Sequence, residues 1–218
     1  MATAAPPMEN LADLVKRLGD IPLERIRLRP APGTATEQDV IEIERRGDSP
    51  LCELVEGTVV NRAIGFKESL VTGEIAHALG SYLDRNDRGF CVVANCLMRF
   101  APGVVRCPSV VFFSWDKFPD GKIPNDPVTD IAPDLVIEVL RKGNTQAETD
   151  RKNREFFEAG VRMVWVIDPA TRSAQVYLAP HRSIVVREDQ PLDGGEVLPG
   201  FSVVLAELFR DLHRLRKE

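Results

Sequence analysis

The sequence is short of the features that announce many protein classes. Its four cysteines, Cys52, Cys91, Cys96 and Cys107, form no C-x-x-C pair and have no nearby histidines to complete a zinc pattern. They read as reduced, structural thiols of a cytosolic chain. No run approaches the ~18 apolar residues of a membrane span. The start, MATAAPPMEN, has neither a basic n-region nor an apolar h-region. The expectation is a soluble, cytoplasmic protein with no membrane partner. An excess of cations is also missing: 28 Lys and Arg against 33 Asp and Glu give a net charge of −5. That argues against a protein coated in basic charge, but leaves open a local positive field at one face. No G-x-G-x-x-G or G-x-x-x-x-G-K-S/T occurs, so no nucleotide cofactor is indicated. The histidines (His77, His181, His213) have no Ser or Cys partner at a suggestive spacing, which argues against a hydrolase triad.

What is present suits a mixed α/β fold. Met8, Leu11, Leu14, Val15 and Leu18 follow helical spacing up to Gly19, and Pro30, Pro32 and Gly33 form a linker. Residues 1–35 are therefore expected as an N-terminal helix and linker, and 36–218 as one domain. Thr36 caps a short helix that stops at Gly47. CELVEGTVV suggests two short strands around Gly57, and 66–83 has helical periodicity. Strands follow over 90–100 and 104–114, with a turn at Pro102-Gly103 and a polar loop over 115–133. APDLVIEVL, NTQAETDRKNREFFEAG and VRMVWVIDP then give strand, helix, strand. Apolar strands in that order predict a parallel pair buried on both faces. Short strands at SIVVRE and FSVVL and a helix from about Ala206 close the chain.

Glu138 is out of place in DLVIEVL. A carboxylate in such a strand costs several kcal/mol unless a cation or donors meet it. By strand period it shares a face with Asp134, Val136 and Leu140. Lys152 lies on the following helix, one turn before Phe156, whose apolar ring should face the sheet. Lys152 is about 10 Å along the helix from its cap, and Glu138 about 7 Å before the strand end. The lysine stem spans the difference, so its amine should reach Glu138. Two readings stand: a structural ion pair, or a carboxylate holding Mg²⁺ (or Mn²⁺) beside a lysine that orients water for phosphodiester hydrolysis. Thr145-Gln146-Ala147-Glu148 has capping-box spacing.

From Arg141 to Arg154 there are five cations, Arg141, Lys142, Arg151, Lys152 and Arg154, against Glu148 and Asp150. Arg141, Lys142 and Arg151 are candidate contacts to a DNA backbone, and a solvated helix face is the competing reading. Glu37 to Glu56 carries seven acids against two arginines, a side that would repel DNA. Trp165 is expected in the core, and Trp115 at a strand end near the substrate side.

Several segments together resemble one known family. CELVEG (52–57), RCPSVVFFSWDKFP (106–119), APDLVIEVL (132–140) and NTQAETDRKNREFFEAGVRMVWVIDP (144–169) are similar to motifs of a large bacterial group of restriction-endonuclease-like proteins in the PD-(D/E)XK nuclease superfamily. The resemblance spans roughly 36–208. It implies a restriction-endonuclease-like core, a mixed sheet flanked by helices, and Mg²⁺-dependent DNA cleavage. In that group the lysine of the E-x-K triplet has moved to the following helix. The resemblance makes Glu138 a metal ligand, Lys152 the catalytic lysine, Glu53 a further acid at the site and the Val139 carbonyl a metal contact. By analogy with nucleases of this fold it also implies a homodimer. Two positions depart from the family pattern. Ser109 stands where the family has the aspartate that is a principal metal ligand. Arg141 stands where serine is usual. A neutral hydroxyl binds Mg²⁺ poorly; Asp134, Glu53 and Glu56 are conceivable substitutes for the missing charge. A catalytically impaired relative, serving as a nucleic-acid-binding or assembly module, is the alternative.

Overall fold

A computed structural model of the chain describes residues 9–47, 51–63, 65–93 and 96–214, with side chains through 212. Met8 and the His213 side chain lie outside the described residues. In chain order the elements are α1 (Leu11–Arg17), α2 (Glu37–Arg46), β1 (Cys52–Val55), β2 (Thr58–Asn61), α3 (Phe66–Leu83), β3 (Gly89–Val93), β4 (Leu97–Ala101), β5 (Val104–Arg106) and β6 (Val110–Ser114). Then come β7 (Val128–Thr129), β8 (Leu135–Val139), α4 (Gln146–Glu158), β9 (Met163–Asp168), β10 (Ser173–Ala179), β11 (Arg182–Arg187), β12 (Pro191–Asp193), β13 (Ser202–Val204) and α5 (Arg210–Arg214).

A six-stranded sheet of order β11-β10-β9-β8-β6-β3 forms the centre of the fold. Its pairings are antiparallel except β8 with β9, the parallel pair that the strand–helix–strand pattern predicts. Because β8 is covered on both faces, all five of its residues are buried. Alternate residues serve opposite layers. Leu135, Ile137 and Val139 pack with Trp165 and with Val71, Ile75 and Leu79 of α3. Val136 faces the other way, with Val164, Val166 and Phe156 of α4. The Phe156 ring meets Phe100 at 4.7 Å between centroids, which fixes the roll of α4 on the sheet.

A second sheet of order β2-β1-β5-β4-β7 carries α2 on its apolar face. The α2 helix has a complete capping box, with Thr36 and Asp39 each bonding the other's backbone N–H. The β1–β2 turn needs glycine at Gly57, where φ is +72° and a Cβ would lie 2.7 Å from Gly33 backbone atoms.

The N-terminal segment packs onto this framework rather than trailing from it. Leu14, Leu18, Ile21 and Ile26 bury against Val55 and Val60. Beyond β13 the chain forms a 3-10 turn over Leu205–Phe209 before α5, so the closing helix starts four residues later than the periodicity suggests. The loop after β6 contains a 3-10 turn at Trp115–Lys117 and the short β7. None of the four cysteines is in a disulfide, and burial pushes the thiols of Cys52 and Cys91 up to about 12. Among the described residues no helix is long and apolar enough to cross a membrane.

Candidate functional site

The site lies where the C-terminal end of β8, the segment entering β6, the strand β1 and the first turns of α4 converge. Glu138 is the penultimate residue of β8. Lys152 stands two turns into α4 and returns over the strand it follows. Its Nζ lies 3.0 Å from Glu138 Oε1 and 3.1 Å from Glu53 Oε1. All three side chains are buried, Glu53 completely. The sequence-derived reach of Lys152 to Glu138 is met, and Glu53 of β1 joins them.

Other cations enclose this triad. Arg106 of β5 donates from Nη1 to Glu53 Oε2 at 2.9 Å, and its remaining fork holds Glu155 at 2.7 and 3.0 Å. The Cys107 N–H donates to Glu53 Oε1 at 3.3 Å. Arg62, just past β2, places Nη2 3.9 Å from Glu138 Oε2. Burial would raise the Glu53 carboxyl, but Lys152, Arg106 and Arg62 outweigh it and hold it well below the usual carboxylate range. Burial likewise opposes the charge on Lys152, but Glu138, Glu53 and Glu148 hold its ammonium above the ordinary value.

Ser109, just before β6, has its hydroxyl already committed. Its Oγ accepts from Arg62 Nη2 at 3.3 Å and from the Val139 N–H at 3.2 Å. Val139 therefore meets Ser109 through its own backbone, in register with Ile167 on β9. Each of the three acids named as substitutes, Asp134, Glu56 and Glu53, is already partnered. Asp134 lies just before β8, about 13 Å from Glu138 at ~3.3 Å per residue. There it accepts from the Ser114 N–H and pairs with Arg162 and Lys117. Glu56 pairs with Arg151 at 2.9 Å, and Glu53 is saturated by Arg106 and Lys152.

Among the described residues no three His, Cys, Asp or Glu side chains gather as a metal-binding group. Mg²⁺ prefers several oxygen ligands of net negative charge. Here one carboxylate is paired to a lysine and the companion position is a neutral hydroxyl bonded to an arginine. The donor set does not fit a divalent ion. The cavity beside Glu138, Lys152 and Asn153 measures about 10 Å³, room for about one water.

The basic candidates separate. Lys142 is exposed. Arg141 is half-buried, donates Nη1 to the Ala63 carbonyl at 2.9 Å, and leaves its buried Nε without a partner among the described residues. Arg151 is spent internally on Glu155, Glu56 and the Arg17 carbonyl. Trp165 is core, as its context suggests. Trp115 is not near the site: it follows the C-terminal end of β6, whereas Ser109 precedes that strand's start. Its indole instead donates to Asp87 at 2.6 Å.

The helix cap also differs from its sequence signature. Thr145 accepts from the Glu148 N–H at 3.0 Å, but Glu148 does not reciprocate. Its carboxylate grips Arg25 through two bonds of 2.8 and 2.6 Å, because a buried guanidinium is a stronger partner than a backbone N–H. Arg62, Arg106, Arg25 and Glu155 were not read from the sequence. Arg106, in VVRCP, carried the same signal as Glu138, a charge amid apolar strand residues.

The fold and this convergence of acids and lysine define a protein with a restriction-endonuclease-like core. The chain belongs to the Uma2 family, described as "Putative restriction endonuclease", whose model matches residues 38–207. Among solved structures it is similar to a "putative nuclease belonging to DUF820" from Anabaena variabilis ATCC 29413. That match has 21% identity and a TM-score of 0.67, and covers 78% of this chain and 97% of the other. At that identity the likeness speaks for the fold alone. No curated protein matches the chain.

Proposed function

We propose that this nuclease-like protein keeps the PD-(D/E)XK scaffold as a DNA-binding module and does not cut phosphodiesters with a divalent metal. The observation that carries this is Ser109. The family resemblance puts a metal-binding aspartate at this position; here it is a neutral serine whose hydroxyl is bonded to Arg62 and Val139. Support for DNA as the partner comes from the family and from the exposed cations Lys142 and Arg154, together with the half-buried Arg141. The proposal includes a homodimer, the arrangement that lets this fold engage two strands; light scattering of the purified chain tests it.

A second reading, a Mg²⁺-dependent endonuclease, is favoured by one observation: Lys152 lies within 3.1 Å of both Glu138 and Glu53. One experiment separates the two. Fluorescence anisotropy with a short duplex, over a salt series, is run beside nicking of supercoiled plasmid in Mg²⁺ and in Mn²⁺. The expected result is salt-sensitive binding without nicking, with Lys142→Ala lowering the salt slope by about one. Absence of binding at low salt would overturn the proposal. Nicking that disappears in both Glu138→Ala and Lys152→Ala would establish the endonuclease.

A further inference from the structure

We infer that Arg62 is the resident cation of this site, its guanidinium standing in for a divalent ion, and that Arg62 and Ser109 act as a matched pair that excludes metal. This rests on the reading of the site as a nuclease-type centre, and not on DNA binding.

The inference follows from charge balance. The bonded network at the centre holds three acids, Glu53, Glu138 and Glu155, and three cations, Arg62, Arg106 and Lys152. Its formal charge is 3 − 3 = 0. The pairs that extend it, Arg25 with Glu148 and Arg151 with Glu56, are themselves neutral, and Arg141 adds only positive charge nearby. A divalent ion entering this buried network would leave an uncompensated +2, which the low-dielectric interior penalises heavily.

Arg62 is placed to be that balance. It is 7% exposed, and Glu138 is its ion-pair partner among the described residues, at 3.9 Å. Its other nitrogen donates to Cys107 Sγ at 3.8 Å, so the planar fork bridges the segment leading into β6 and the end of β8. Ser109 completes the arrangement. A hydroxyl can accept from Arg62 and from the Val139 N–H without adding charge, whereas an aspartate there would bring the network to −1. Replacing Arg62 by a neutral residue also gives −1. Only the two changes together give −2, the charge a divalent ion matches.

The test titrates Mn²⁺ alone into the full chain, with free Mn²⁺ followed by electron paramagnetic resonance. The four proteins are the wild type, Ser109→Asp, Arg62→Gln, and Arg62→Gln with Ser109→Asp. The wild type is expected to bind no Mn²⁺ that Glu138→Gln removes. The double variant is expected to bind one ion, at least about tenfold tighter than either single variant. Wild-type binding of one Mn²⁺ that Glu138→Gln abolishes would overturn the inference, as would Ser109→Asp alone binding as tightly as the double variant. If the double variant does not fold, Arg62→Lys with Ser109→Asp decides. A retained ammonium should keep the ion out, and tight binding there contradicts the role given to Arg62. Loss of DNA binding in any of these proteins leaves the outcome unchanged, so the two proposals fail separately.

Discussion

Lys152 Nζ and Glu138 Oε1 stand 3.0 Å apart although 14 positions separate them in the chain. The strand–helix reversal makes the contact, and the ammonium also reaches Glu53, so one lysine ties β8 to β1 across two sheets. Replacing it by an apolar residue removes one charge from the network and leaves Glu138 with Arg62 at 3.9 Å and Glu53 with Arg106 at 2.9 Å.

Lys152→Met is therefore expected to cost about 3–5 kcal/mol, the range for breaking a buried ion pair from one side. Urea denaturation followed by circular dichroism measures it. A cost below about 1 kcal/mol, the surface-pair range, would show that the site is more hydrated than its burial implies.

Acid should unfold the protein partly through Glu53. Its folded carboxyl titrates below its ordinary value of 4.5, because Lys152, Arg106 and Arg62 outweigh the burial that would raise it. A depressed folded pKa contributes stability that is complete above the unfolded value and is lost as pH falls through 4.5 toward the lower folded one. Glu148, held down by Arg25 against its own burial, acts with the same sign. Unfolding free energy measured from about pH 6 to about pH 3 should fall steeply for the wild type and less steeply for Glu53→Gln. Equal slopes would remove Glu53 from this role.

Arg25 fastens the N-terminal segment to α4 through the two bonds to Glu148 and one to the Gly143 carbonyl. Arg25→Met leaves the buried Glu148 carboxylate without its ion-pair partner, held by the Asn144 amide at 2.8 Å, and should cost about 3–5 kcal/mol. Arg25→Lys should recover only part of it, since one ammonium cannot reproduce the planar fork. Hydrogen exchange over residues 11–26 reads the change directly: the Met variant should lose protection there first, and unchanged protection would contradict the tether.

Gly89 opens β3 with φ at +154°, and a Cβ there would fall 1.9 Å from the Phe113 carbonyl oxygen. The clash is with the backbone of β6, so no rotamer relieves it. Gly89→Ala should destabilise by more than about 2 kcal/mol, the scale of strained-backbone changes. A neutral result in thermal denaturation would mean that β3 sits further from β6 than described.

The fold was largely legible in the sequence because its signals are local. The apolar runs at 135–139 and 163–168 and the helix between them required a parallel pair, and the pair is there. Glu138 declared itself as a charge among apolar neighbours, and chain geometry alone brought Lys152 to it. Long-range partners left no local mark. Arg62 and Arg25 come from distant segments, and only the assembled sheets bring them to Glu138 and Glu148. Thr145-x-x-Glu148 shows the same limit: the capping spacing is correct, but Arg25 takes the carboxylate. Arg151, counted with the free cations of its helix, is consumed by Glu155 and Glu56, partners that sequence spacing could not rank above solvent. Trp115 is a strand-end residue, as read, but β6 runs antiparallel to β8, which puts that end away from Glu138; a strand's direction in the sheet is not written in its own residues.

The central claim is that protein cations, and no divalent ion, balance the acids around Glu138. A crystal of the wild type soaked in Mn²⁺, with anomalous scattering recorded near the manganese edge, tests it most directly. The expected map has no anomalous peak among Glu138, Ser109 and the Val139 carbonyl, with the Arg62 guanidinium still bonded to Ser109. A peak at coordination distance from Glu138, with Arg62 swung out to make room, would contradict it.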